Sequence, residues 1–140
     1  MAFTGNFTCN TFKTGLMNGT FNFTSGSFYL ALYTNSAALN EDTTAYTATG
    51  EASGGNYVAG GNLLTIAQAP TVGNGDTAFI SFDNTSWTGA ITARGALIYL
   101  SGGGNPAVCV LDFGADKTST ATFTVQFPAV TNTSAIIRIS

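Results

Sequence analysis

Thr120-Ala121-Thr122-Phe123-Thr124-Val125-Gln126-Phe127 is the stretch whose pattern decides the fold. Ala121, Phe123, Val125 and Phe127 occupy every second position, with Thr120, Thr122, Thr124 and Gln126 between them. Successive strand side chains point to opposite faces, so this period of two predicts a half-buried β-strand with the apolar set inward. Pro128 ends it, because proline has no N–H to give to a ladder. Upstream, Ala107 to Phe113 is an apolar run of central-strand type, entered from the loop at 101–106 (SGGGNP). Ile91 to Leu100 sets Ala93, Gly95, Leu97 and Tyr99 against Thr92, Arg94, Ala96 and Ile98. Thr77 to Asp83 places Ala78, Ile80 and Phe82 on one side, and Phe28 to Thr34 does the same with Phe28, Leu30 and Leu32. Ala135 to Ile139 closes the set as a final strand.

Between these runs the chain is turn-like. Asn56 to Ile66 reads as an extended segment bent at Gly60-Gly61, where a bulge is natural, and Gly73-Asn74-Gly75-Asp76 reads as a turn. Asn35 to Ala52, which holds Glu41, Asp42 and Glu51, is the longest loop, of a length often tied to function. Residues 1–24 differ from the rest: Phe3, Phe7, Phe12, Phe21 and Phe23 recur among polar spacers. Phe12 and Leu16 fit a short helix over 10–19, against which Gly15, Gly19 and the threonines count. Short strands separated by Gly/Asn turns predict an all-β, antiparallel β-sandwich or jelly-roll-like single domain over 25–140. An N-terminal arm or short helix over 1–24 precedes it.

The 140 residues suit one domain that folds on its own core. Only 8% are charged, the net charge is −3, and histidine is missing. Lys13, Arg94, Lys117 and Arg138 stand singly, so phosphate neutralisation, and with it nucleic acid as a partner, is not expected. Without histidine there is no Ser-His-Asp or Cys-His arrangement. Glu41/Asp42 and Asp112/Asp116 are the close acid pairs that glycoside hydrolysis would need, and they read as a solvated loop and a turn-capping acid. Asn74, Asp76, Asp83 and Asn84 could offer oxygen ligands, but they lack the spaced ladder of a calcium loop. No catalytic residue, metal or cofactor is expected.

Cys9 and Cys109 show no metal spacing; Cys109 reads as a small buried hydrophobe, and spacing neither requires nor forbids a disulfide between them. The opening residues lack a signal-peptide pattern, and polar residues interrupt every apolar stretch, so no membrane partner is expected. Asn-x-Ser/Thr sequons at Asn6, Asn18, Asn22, Asn84 and Asn132 are what an Asn- and Thr-rich chain supplies by chance. The series Thr118-Thr120-Thr122-Thr124 reads as an ordinary hydroxyl-lined outer face, since no neighbouring segment repeats it. Trp87, Tyr46 and Tyr57 could stack on sugar rings, although Trp87 between two strands is better placed in a core.

Several strings carry a resemblance. MAFTGNFTCNTFK at the start is followed in order by FYLALYTNSA (28–37), NYVAGGNLLT (56–65) and the run Phe82 to Trp87. TARGALIY (92–99), AVCVLDFGADKT (107–118) and FTVQFP (123–128) complete the set. Together they resemble a family of small virion structural proteins of tailed bacteriophages, frequent among marine and cyanobacterial phages. The resemblance implies a non-enzymatic virion protein, similar to capsid decoration (cement) proteins that bind the head shell. A tail, neck or fibre component, with a glycan-recognising binding module as one form, is the alternative. The expected partners are the major capsid protein or other virion proteins and further copies of the chain, as a trimer or on a shell lattice. The residues themselves point the same way, because hydroxyl and amide surfaces are buried against a partner at lower desolvation cost than charged ones. Phe3, Phe7, Phe12, Phe21 and Phe23 are the assembly-interface candidates, either docking on another subunit or capping their own sandwich.

Overall fold

A computed structural model describes residues 3–73, 75–131 and 133–139. Asn74, named above as an oxygen ligand, and the sequon at Asn132 lie outside the described residues. The elements in chain order are β1 (Phe7–Thr8), α1 (Asn10–Asn18), β2 (Phe28–Tyr33), β3 (Asn62–Leu63), β4 (Ile66–Val72) and β5 (Ala78–Phe82). They continue with β6 (Thr85–Thr88), β7 (Thr92–Leu100), β8 (Ala107–Thr118), β9 (Thr122–Val125) and β10 (Ile137–Ile139). A five-stranded sheet runs β1-β8-β7-β2-β3, a three-stranded sheet β10-β5-β4, and a two-stranded sheet β6-β9. Every pairing is antiparallel, and the molecule is an all-β domain with one short helix.

The large sheet is apolar on both faces at its centre. On one face Phe28, Leu30 and Leu32 stand opposite Leu100, Ile98 and Ala96. Phe28 stacks on Phe23 at 4.4 Å between ring centroids and lies 6.2 Å from Phe82 of β5, so the three-stranded sheet and the aromatic N-terminal segment cover this side. On the other face Tyr29 stacks on Tyr99, and Tyr99 on Tyr46, so the long loop after β2 covers it. This two-sided cover explains why β2 and the second half of β7 are buried almost without alternation. Fully burying one such aromatic or aliphatic side chain contributes about 1.5–3 kcal/mol, so the paired faces dominate the stability. Gly61, with φ +82°, lets the backbone pass so close to the Leu30 carbonyl that a Cβ there would collide with it.

The structure revises four expectations. Residues 3–24 are not a separate arm: Phe7 and Thr8 pair with Val110 and Cys109, and α1 lies on the same body. Phe3, Phe12, Phe21 and Phe23 are buried in this chain's own core and Phe7 is half-buried against it, so these rings are not free to dock on a neighbour. Burying them at home removes apolar area from water without waiting for a partner. The helix itself falls where the spacing put it, ending at Gly19 in the left-handed region (φ +81°), which suits a glycine cap.

The segment 56–61 is a pair of turns rather than extended chain, with β3 and β4 following separately. The third revision concerns β8, which runs on to Thr118; its pairing jumps from Gly95↔Asp112 to Ala93↔Lys117, so residues 113–116 bulge out of the ladder. In the fourth, the alternation at 120–127 holds for Phe123, Val125 and Phe127, whereas Ala121 is exposed in the turn before β9. The same turn interrupts the threonine series, since Thr118 ends β8 and Thr122 begins β9.

Candidate assembly surface

Among the acids named as chemistry candidates, Asp112 and Asp42 make side-chain contacts within the fold. Asp112 accepts from Arg94 Nε at 3.1 Å and from the Gly114 N–H at 2.8 Å, which ties β7 to the bulge of β8. The Gly114 hydrogen bond, and after it Arg94, holds the Asp112 carboxyl below the usual carboxylate range. A general acid for sugar cleavage needs the opposite shift. Asp116 is exposed at the end of the bulge, and Glu41 and Asp42 are exposed in the loop, where Asp42 accepts from Asn10 Nδ2 at 3.0 Å. Among the described residues, no three His, Cys, Asp or Glu side chains gather as metal ligands. No described helix is long and apolar enough to cross a membrane.

Glu51 is the polar centre that sequence reasoning passed over. Its carboxylate accepts from Tyr46 Oη at 2.7 Å, Tyr57 Oη at 2.6 Å and the Gly60 N–H at 2.7 Å. Tyr57 Oη in turn accepts the Leu32 N–H at 2.9 Å, Tyr33 Oη donates to the Thr47 carbonyl, and Tyr99 Oη donates to the Gly60 carbonyl. Burial raises all four tyrosines, Tyr46 and Tyr99 to about 12. The network clamps the loop over the sheet, where the edge of β2 beyond β3 would otherwise lie bare. It also engages the side chains considered for sugar stacking: the hydroxyls of Tyr46 and Tyr57 are tied to Glu51, and Trp87 is 2% exposed with its ring 5.5 Å from that of Tyr57.

The two cysteines are free and buried. Cys9 turns toward the Asn40 carbonyl in the loop, and Cys109 lines the cleft beneath α1.

Beneath α1 lies a cleft of about 690 Å³ between the helix, the β1–β8 edge and β10. Phe12, Leu16, Val108 and Ile137 give it an apolar floor, and Thr8, Thr77 and Thr133 supply hydroxyls. Lys13 and Arg138 stand in its lining, which contains no carboxylate among the described residues. Lys13 donates to Asn10 Oδ1 at 3.2 Å and Arg138 to the Thr133 carbonyl; among the described residues neither meets an acid, and Arg94–Asp112 is the ion pair formed. Half of the basic residues of an acidic chain therefore converge on one concave, partly apolar surface. A side pocket of about 170 Å³ extends it between Leu16 and the apolar face of Ala78, Ile80 and Ile139. This geometry suits a segment that brings apolar side chains and a carboxylate together. No protein-family model matches the chain, and neither a curated protein nor a solved structure does.

Proposed function

We propose that the protein is a non-enzymatic structural component of a tailed-phage virion that decorates the head shell through protein–protein contacts. The major capsid protein is its partner, and the cleft beneath α1 is the contact. The observation that carries the reading is that cleft: an apolar floor with Lys13 and Arg138 and, among the described residues, no acid, on a chain rich in neutral hydroxyls and amides. The resemblance of the ordered motifs to small virion proteins supplies the particle; the cleft supplies the chemistry of attachment. An acidic, apolar-tipped segment of a shell subunit fits there, and repetition over a lattice would multiply a modest single contact through avidity. Against the alternative position in a tail or fibre, with sugar recognition, stand the Tyr46 and Tyr57 hydroxyls engaged by Glu51 and the burial of Trp87.

The test is the amount of this chain in purified particles relative to the major shell protein. Near-stoichiometric abundance supports decoration, whereas a dozen copies or fewer would assign it to the tail. Lys13→Glu combined with Arg138→Glu should release the protein from shells while leaving it folded. Retention of the double variant at wild-type occupancy would refute the cleft as the contact.

A further inference from the structure

We propose that β9 is a pairing edge for a second copy of this chain: two molecules join antiparallel through Thr122 to Gln126, about a two-fold axis at Thr124. This deepens the assembly reading by naming one partner, and it uses a surface separate from the cleft.

The argument starts from the direction of the β9 backbone groups. β9 pairs with β6 in the register Thr85↔Val125 to Thr88↔Thr122, and the Gly89 N–H continues the ladder to the Ala121 carbonyl at 2.7 Å. Facing pairs that share hydrogen bonds alternate in an antiparallel ladder. Residues 121, 123 and 125 therefore aim their N–H and C=O groups at β6, and Thr122, Thr124 and Gln126 aim theirs the other way. Consistent with this, Thr88 turns outward on the β6 side, where its carbonyl accepts from the Asn56 N–H. Among the described residues, the outward groups of Thr122, Thr124 and Gln126 have no partner.

Among the described residues, the outer strands of the sheets are otherwise blunted by recognisable devices. β1 and β3 are two residues long. β4 carries Pro70 and two register shifts. β10 carries the exposed Arg138. The outer edge of β8 is broken by the bulge at 113–116 and carries exposed Asp116 and Lys117. The outer edge of β6 is occupied by asparagines: Asn56 Oδ1 accepts the Thr88 N–H at 2.8 Å, and Asn62 Nδ2 donates to the Ser86 carbonyl at 3.0 Å. β9 has none of these. A groove of about 410 Å³ runs beside it, with Phe113, Lys117 and Thr118 on the far wall.

The occupant follows from charge and symmetry. A chain of net charge −3 repels its copies, so a homotypic contact belongs where ionisable groups are missing. The stretch 118–137 has none, and Lys117 is the ionisable group in the groove beside it. Two-fold pairing about Thr124 sets Thr124 against Thr124 of the partner subunit and Thr122 against the partner's Gln126, all neutral and able to hydrogen-bond. Phe123 and Val125, buried beneath each strand, would carry the apolar layer of both copies up to the junction.

Position 124 lies on the axis, which makes the test specific. Thr124→Lys and Thr124→Glu each place like charges opposite one another in the homotypic pair, whereas an equimolar mixture places opposite charges there. Thr124 is exposed, so both variants should keep the wild-type unfolding midpoint. Sedimentation velocity should show concentration-dependent pairing of the wild type and about tenfold weaker pairing of each variant alone. Native mass spectrometry of the mixture should show the mixed pair restored. A wild type that stays monomeric at sub-millimolar concentration, or variants that pair as well as it does, would overturn the proposal. The Lys13/Arg138 double variant should pair normally, so loss of shell binding and loss of pairing are read separately.

Discussion

Replacing Glu51 with alanine takes the acceptor from three donors at once: Tyr46 Oη, Tyr57 Oη and the Gly60 N–H. Hydrogen bonds to a charged acceptor contribute about 1.5–3 kcal/mol each. Glu51 is half-buried, so water reaches part of the vacated space and discounts each bond to just over about 1 kcal/mol. Glu51→Ala should therefore cost about 3–4 kcal/mol. Glu51→Gln keeps one acceptor oxygen but points an NH₂ at a donor, and should cost about half as much. At about 3 °C per kcal/mol for a domain of this size, the alanine variant should melt about 10 °C below wild type. Urea unfolding followed by circular dichroism gives the free energies, and amide exchange locates them. The Leu32 N–H, held by Tyr57 Oη, and the Ala52 N–H, held by the Leu32 carbonyl, should lose protection before the β7–β8 core does. A loss below about 1 kcal/mol for Glu51→Ala, or equal losses for the two variants, would refute the clamp as the element that holds the loop.

The same cluster predicts an alkaline limit. Tyr46 and Tyr99 are raised by burial from 10.0 to about 12, and Tyr33 and Tyr57 are raised as well. Raised folded values favour the neutral form in the native state, so this contribution is complete below pH 10 and is lost as pH climbs through 12. A urea midpoint that does not fall over that interval, read beside tyrosinate absorbance, would contradict it. Burial likewise pushes the thiols of Cys9 and Cys109 up, to about 11 and about 12. Both should resist a thiol reagent in the native state and react together in denaturant; prompt native labelling of Cys109 would mean that the cleft floor is not packed as described.

Period-two patterning located most of the sheet because one buried face imposes it. Phe28, Leu30 and Leu32, and Phe123 with Val125, lie inward as their spacing requires. It read less well where both faces are covered. In β7 every residue from Gly95 to Tyr99 is buried, and alternation no longer reports which side is inside. The end of β8 was hidden for another reason: Gly114 and the acids around it look like a turn, yet a bulge absorbs them and the strand resumes at Lys117. Local sequence does not distinguish an aromatic segment that docks in cis from one that docks in trans; the fold decides it, with Phe23 stacked on Phe28 and Phe12 edge-on to Phe21 and Phe23. Glu51 left no periodic signal, since its three donors come from separated loop positions that converge only in the folded chain. The cleft was equally illegible, because Lys13 and Arg138 are 125 positions apart in the sequence numbering.

Asn56 and Asn62 act as terminators. An unprotected strand on each side of a small sheet would let molecules add without end, the geometry of a fibril. Here the amides already occupy the Thr88 N–H and the Ser86 carbonyl, so a sheet grown from the opposite side stops after one addition. Removing both asparagine side chains would turn a finite pair into the repeating unit of a filament, which makes these two residues the guardians against open-ended growth.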